Sequence, residues 1–229
     1  MHVQQALVEP KRFTTADEVF HRLKTDIISM RLAPGTKLSE VEMAKLYDVS
    51  RQPVREAFLR LGSLNLLQIR PQKATRVRKI SNRDLANTRF IRAAVEVEVV
   101  RMACSIASKN DLEAIDSNLA LQKIAIDASD AVALKKLDYE FHRLICIAAN
   151  CLPAFETIAE NKAHTDRACT LELANDKGMA EVLEGHTNII NAIKLGDEET
   201  AVKMTRIHLA HLDSTLDEAR KKHPDYFED

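Results

Sequence analysis

A chain of 229 residues, 45% apolar and 29% charged, has room for one large domain or two smaller ones and the make-up of an ordinary soluble globular protein. No run approaches the roughly 18 to 20 apolar residues of a membrane span, and MHVQQALVEPKRFTTADEV at the N-terminus lacks the apolar core of a signal peptide, so the expected location is the cytoplasm. The net charge of −1 hides an asymmetry: residues 1–80 hold 15 Lys+Arg against 8 Asp+Glu and residues 81–229 hold 18 against 26, which suggests a basic module facing a polyanion followed by an acidic one.

Apolar residues recur at helical spacing from Thr14 to Met30, with Thr14 or Thr15 as cap and Asp17 and Glu18 in the first turn. Pro34-Gly35 ends that helix. A second short helix is expected from about Ser39, with Glu42 completing a capping box and Asp48-Val49 as a tight connection. Ser50 can cap a third, SRQPVREAFLRLGSLNLL, with Pro53 near its start where a missing N–H does no harm. Its buried stripe is Val54, Ala57, Phe58, Leu61 and Leu64, while Arg51, Gln52 and Arg55 point the other way. This is a helix-turn-helix pattern, whose last helix presents its first residues to base edges in the major groove. Arginine there suits guanine, and glutamine suits adenine or a phosphate. The following LQIRPQKATRVRKI reads as two short strands around a tip. It forms a basic wing whose Arg70, Lys73, Arg76, Arg78 and Lys79 can follow a phosphate backbone.

The stretch APGTKLSEVEMAKLYDVSRQPVREAFLRL resembles the winged helix of the GntR family of bacterial transcription regulators. It matches at Pro34, Gly35, Leu38, Glu40, Ala44, Val49, Ser50, Arg51, Pro53, Val54, Arg55, Glu56, Ala57 and Leu61. The resemblance implies that Ser50, Arg51, Gln52 and Arg55 contact DNA and that the wing tip at Gln72 and Lys73 adds a minor-groove contact. Two positions depart from the pattern. Asn65, which tolerates a left-handed backbone, stands where glycine is common, and the wing tip reads Gln72-Lys73-Ala74 without glycine.

After a polar link over residues 79–84, the rest reads as helix after helix: approximately 83–108, 111–128, 130–149, 153–173, 178–195 and 197–222, ending in a polar tail, KKHPDYFED, expected to fray. The domain boundaries that follow are 10–79 for the winged helix and 83–222 for the bundle. The fold class is mainly α, a winged helix-turn-helix ahead of an antiparallel six-helix bundle. The four cysteines, Cys104, Cys146, Cys151 and Cys169, have no CxxC spacing and are expected as free thiols.

Three histidines, His142, His186 and His208, hold core-facing positions on three different helices, and Asp138 lies one turn before His142. Histidine with a carboxylate is a common ligand set for divalent transition metals, although core histidines satisfied by hydrogen bonds would show the same spacing. The segments around Asp138–His142, Glu184–Asp197 and Ala201–Leu209 resemble the FCD ligand-binding domain of the FadR subgroup, and the helix count is similar to its VanR-type six-helix branch. Gly185 separates Glu184 from His186 where the family commonly has Glu-His. The resemblance implies a divalent ion on Asp138, His142, His186 and His208, with zinc as the first choice and manganese or nickel as alternatives. His211 competes with His208 for the fourth position, and family register favours His208.

An Arg-x-x-Leu-Glu motif of the same family is matched by Arg92 and Glu96 with Val95 for leucine. By that resemblance Arg92 would sit near the metal and clamp a carboxylate; the alternative is a structural salt bridge to Glu96. His164 and Arg167 would lie at the pocket mouth or on a solvated face. The function implied is a non-enzymatic, homodimeric transcription regulator, a repressor by mode of action, on a pseudo-palindromic operator. Its effector would be a small organic or sugar acid bound at the metal. A metal-dependent hydrolase and a direct metal sensor are the alternatives, the first disfavoured because Glu140 should face away from Asp138 and His142.

Overall fold

The computed structural model describes residues 14–229, apart from 71, 173–175 and 211. The chain divides into two compact units, Met1–Ile27 with Gly35–Arg78 and Ile28–Pro34 with Lys79–Asp229.

In the first unit, helix α1 (Thr15–Ile28) buries Val19, Phe20, Leu23 and Ile27 on one face. Thr14 rather than Thr15 caps it: Asp17 N–H donates to Thr14 Oγ1 at 3.1 Å, and Thr14 N–H donates back to Asp17 Oδ2 at 2.9 Å. Helix α2 (Glu40–Tyr47) buries Ala44 and Tyr47 and leaves Val41 and Leu46 exposed. Ser39 holds its cap position, but its hydroxyl makes no cap bond, so the expected capping box is not formed. The turn to helix α3 (Arg51–Ser63) passes through Asp48 in the left-handed region (φ 54), with Val49 N–H bonded to Ala44 O at 3.0 Å.

Helix α3 buries Val54, Ala57, Phe58 and Leu61. Its Arg60 reaches Asp17 at 2.7 Å and stacks over Phe20, which ties α3 to α1. After α3 the chain turns at Asn65, left-handed at φ 56 as its side chain allows, and its N–H bonds to Gly62 O at 3.0 Å. Strands β1 (Lys37–Leu38), β2 (Leu67–Gln68) and β3 (Thr75–Val77) form an antiparallel sheet in the order β1-β3-β2, pairing Lys37 with Arg76 and Leu67 with Val77. The loop between β2 and β3 is the wing, and Gln72 at its tip takes φ 58, where glycine would be the ordinary choice.

The second unit is built from α4 (Asn82–Ile106), α5 (Lys109–Asp127), α6 (Ala131–Ala148), α7 (Pro153–Glu172), α8 (Asp176–Leu195), α9 (Glu198–Ala210) and α10 (Leu212–Lys222). The sequence reads one helix over 197–222, and α9 and α10 cover that span on either side of residue 211. Helix α5 starts two residues before its expected position because Ser108 and Asp111 close a full capping box. Helix α4 packs against α6, α7, α8 and α9, and α5 against α6 and α8. Their shared core includes Val99, Ala103, Ile115, Phe141, Ile145, Ile158, Ile189 and Ile193. All four cysteines are free, Cys146 and Cys169 buried.

The expected frayed tail is instead folded. Strand β4 (Ile80–Ser81), inside the segment expected as a polar link, pairs in parallel with β5 (Phe227–Glu228). Phe227 is buried with Ile80, Leu85, Leu216 and Ala219. Asn82 accepts from Arg220 Nε at 3.0 Å and donates to Asp229 at 3.2 Å. One well-placed aromatic ring and a side-chain clamp outweigh the polar composition of the tail.

Candidate metal centre and DNA-reading face

Asp138 and His142 lie one turn apart on α6, His186 on α8 and His208 on α9. Each of the four offers one ligand atom, and these atoms all lie within 4.8 Å of one another. Asp138, His142 and His186 are buried and His208 is half-buried. The family-register choice of His208 is the one the geometry brings to the cluster, while His211 lies outside the described residues.

What orients the rings is as informative as what they face. His142 Nδ1 lies 2.9 Å from Glu96 Oε2, and His186 Nδ1 lies 2.9 Å from Gln122 Oε1. Gln122 is itself fixed, donating from Nε2 to Asn118 Oδ1 at 2.7 Å, and Asn118 donates to Leu137 O at 3.1 Å. Phe141 stacks on the His186 ring at 3.8 Å between centroids. With both Nδ1 atoms taken, each Nε2 is turned inward toward Asp138 Oδ1, at 3.7 Å from His142 and 3.4 Å from His186. Both Nε2 atoms are buried and make no hydrogen bond. A buried polar atom without a partner is costly, and two aimed at one carboxylate oxygen are the arrangement that a metal ligated through Nε2 requires.

Protonation follows from burial and charge. Burial pulls the His186 imidazole down to about 4, and it pulls His208 well below the ordinary value, with the neighbouring His186 and His142 adding to the effect. His142 is opposed by burial as well, but the Glu96 carboxylate and then Asp138 raise it above the ordinary value. Burial would raise Asp138, yet the Lys162 ammonium and the two imidazoles hold it well below the usual carboxylate range. Glu96 is likewise lowered, by Arg92 and His142 against burial. Two neutral imidazoles and an ionised carboxylate are donors a divalent ion accepts without first displacing protons.

Arg92 is buried on α4 and its Nε donates to Glu96 at 2.7 Å, so the salt-bridge arrangement is present. Arg167 is fully buried on α7, which overturns a solvated face for it, because a helix packed against α4 and α6 has an inner side there; His164, one turn earlier, is half-buried. Glu140 is engaged with Arg143 through both carboxylate oxygens, at 2.7 and 2.8 Å.

Several residues of this centre escaped the sequence reading. Lys162 on α7 lies 2.7 Å from Asp138 Oδ2 and 2.9 Å from Asp166 Oδ1, and Asp166 also accepts from the Tyr139 hydroxyl at 2.8 Å. Lys162 and Asp166, like Asn118 and Gln122, stand four apart beside apolar residues, which was the available signal.

In the first unit, Ser50, Arg51, Gln52 and Arg55 are all exposed at the start of α3, and Gln72 and Lys73 are exposed at the wing tip. Arg51 pairs with Glu40 at 3.1 Å and Gln52 donates to Glu56 at 3.0 Å. Among the described residues no helix is long and apolar enough to cross a membrane.

Comparison with known proteins agrees with both halves. Residues 15–77 match the model of bacterial regulatory proteins of the gntR family, and residues 88–211 match the FCD domain. The chain is 34% identical over 210 residues to the HTH-type transcriptional repressor RspR of Escherichia coli, covering 92% of each chain. It is 30% identical over 200 residues to a probable D-xylose utilization operon transcriptional repressor of Paenarthrobacter nicotinovorans, covering 87% of each. In structure it is similar to E. coli McbR/YncC, with a TM-score of 0.78 at 23% identity over 90% of this chain and 99% of that one. A winged helix with an exposed basic reading face, followed by a mainly helical unit, matched along nearly its whole length by such repressors, places the chain in the GntR family of bacterial transcription regulators, with an FCD domain as its second half.

Proposed function

We propose that the protein is a repressor whose hold on its operator is set by a small carboxylic or sugar acid bound at a divalent metal in the FCD domain. The observation that carries this reading is the pair of buried, unpartnered Nε2 atoms of His142 and His186 facing Asp138 Oδ1. Asp138, His142, His186 and His208 would hold the ion, zinc first with manganese or nickel as alternatives, since an imidazole-rich set accepts several. When bound, the ion supplies a Lewis-acidic position for a carboxylate.

The protein side chains do the rest. Glu96 and Gln122 fix the ring orientations. Arg92 uses Nε for Glu96, which leaves its two terminal nitrogens for an incoming acid; His164 and Arg167 on α7 are assigned to the same pocket. Ser50, Arg51, Gln52 and Arg55 would read the major groove, and Gln72 and Lys73 the minor groove. A homodimer matches a pseudo-palindromic operator, and exposed apolar residues on α4, Phe90 and Ala94 on one side of the exposed Glu98 and Met102 and Ile106 on the other, support it. One relative is named for a D-xylose utilization operon, which supports an effector drawn from sugar metabolism.

A hydrolase reading gains nothing from the site. Among the described residues, the carboxylates beside it are Glu96, committed to Arg92 and His142, and Asp166, committed to Lys162 and the Tyr139 hydroxyl. The test joins metal analysis with operator binding. The purified protein should carry about one ion per chain, and a set of small acids screened by thermal shift should contain one that stabilises it and releases a labelled operator. Full metal content in both His142→Ala and His208→Ala would overturn the ligand assignment; turnover of the stabilising acid would overturn the regulator.

A further inference from the structure

Lys162 has no part in the reading above, yet its buried ammonium is engaged directly with a proposed ligand of the centre. It sits 2.7 Å from Asp138 Oδ2, 2.9 Å from Asp166 Oδ1 and 4.7 Å from the centre of the Tyr139 ring. Asp138 therefore divides its two oxygens: Oδ2 belongs to Lys162, and Oδ1 alone faces the histidines. Asp166 is held in addition by the Tyr139 hydroxyl and by Lys135 at 3.7 Å, and Glu96 carries Arg92. Glu96, Asp138 and Asp166 are thus each matched by a protein cation before any ion arrives. A divalent ion at the four donors brings two charges that these pairs do not offset. It also comes to rest on the same carboxylate as an ammonium, a repulsion that stays large even at an effective dielectric of about 20.

We propose that Lys162 acts as an internal counter-charge that makes metal binding at Asp138, His142, His186 and His208 depend on an anionic co-ligand. This rests on the metal reading above and adds the regulation of that site. Lys162 restricts Asp138 to one oxygen, weakens the site for the bare ion, and leaves an excess positive charge that a carboxylate discharges. Metal and acid then bind cooperatively, each raising the affinity of the other by the same factor. The metal is held firmly only when the acid is present, so the signal is the pair of them.

The experiment measures Zn²⁺ affinity of the full chain by competition with a chromogenic chelator, in sodium acetate and in sodium chloride at equal ionic strength. In the native protein, acetate is expected to tighten Zn²⁺ on the order of tenfold. Lys162→Gln is expected to tighten Zn²⁺ without acetate on the order of tenfold and to remove most of the acetate effect, while Lys162→Arg keeps both native properties. A lysine that merely braces Asp138 gives the opposite sign: Zn²⁺ affinity falls in Lys162→Gln, and that result overturns the proposal. A native Zn²⁺ affinity indifferent to acetate overturns it as well, and this arm needs no variant to fold. No Zn²⁺ uptake by the native protein under any condition overturns the metal reading itself, a distinguishable failure.

Discussion

Gly185 and His208 are in contact so close that a methyl group on the glycine would lie 2.7 Å from His208 Nδ1. The absence of a side chain at position 185 is therefore what leaves room for the His208 ring in the cluster. Helix α8 gives up side-chain volume there, and α9 fills it.

Gly185→Ala accordingly separates two effects. Alanine in a helix gains up to about 1 kcal/mol over glycine, so the chelated protein should lose little stability. The ring must move, so metal affinity should fall by tenfold or so, as expected when a supporting contact of a ligand is disturbed. Titration calorimetry and thermal melts on the same preparation give both numbers. Unchanged affinity would show that His208 is dispensable for the ion.

Glu96→Gln removes the carboxylate shared by Arg92 and His142 and leaves a buried guanidinium without its partner. Breaking such a pair costs about 3 to 5 kcal/mol. Replacing both residues at once, Arg92→Met with Glu96→Met, should cost less than the single change, because no uncompensated charge remains. Urea denaturation of the chelated variants decides this, and a double variant weaker than the single one contradicts it.

Acid should loosen the chelated protein before its carboxylates titrate. His186 is held at about 4 when folded, below imidazole's ordinary 6.5. A folded value lowered in this way contributes stability above the unfolded value, lost as pH falls from near 6.5 toward 4, where the unfolded chain takes up a proton and the folded one does not. For His186 that amounts to about 3 kcal/mol. His208 shifts in the same direction. His142 shifts the other way, so its contribution is already complete below 6.5 and does not offset the loss. Unfolding midpoints at pH 6.5 and pH 5 should differ by part of this amount, and flat stability across that window would contradict neutral burial of His186.

Phe227→Ala should cost about 3 kcal/mol of local or global stability, as for other buried aromatic rings. Amide exchange at Ile80 and Ser81 should quicken while that of the Val99 and Phe141 core is little changed. Uniform loss of protection would mean that the tail is part of the main core.

Arg51→Ala with Arg55→Ala should weaken operator binding and flatten its salt dependence, whereas Lys73→Ala should weaken all sequences alike. Fluorescence anisotropy at three salt concentrations is sufficient. An unchanged slope for the double variant would remove these arginines from the interface.

Much of this was legible in residue types. The helix-turn-helix announced itself through Ser50, Pro53 and an apolar stripe of strict period, and the buried His/Asp cluster through three histidines placed where a core should be. What was hidden depends on distance along the chain. Lys162 has one partner within reach of a sequence reading, Asp166 four residues on, but its other partner, Asp138, lies on another helix. Gln122 and Asn118 acquire their meaning from His186, 64 residues past Gln122. Phe227 stood alone in a polar segment, and only the sheet pairing with Ile80 shows why it is there.

That pairing also sets an order of events during synthesis. Residues 80 and 81 find their strand partners at 227 and 228, and Asn82 bonds to Asp229, 147 positions later. The winged helix is complete in sequence by Arg78 and can fold while the remainder is still being made, at roughly 5 to 20 residues per second. For on the order of ten seconds a nascent chain therefore carries a finished winged helix while residues 80 and 81 still lack the strand they will pair with.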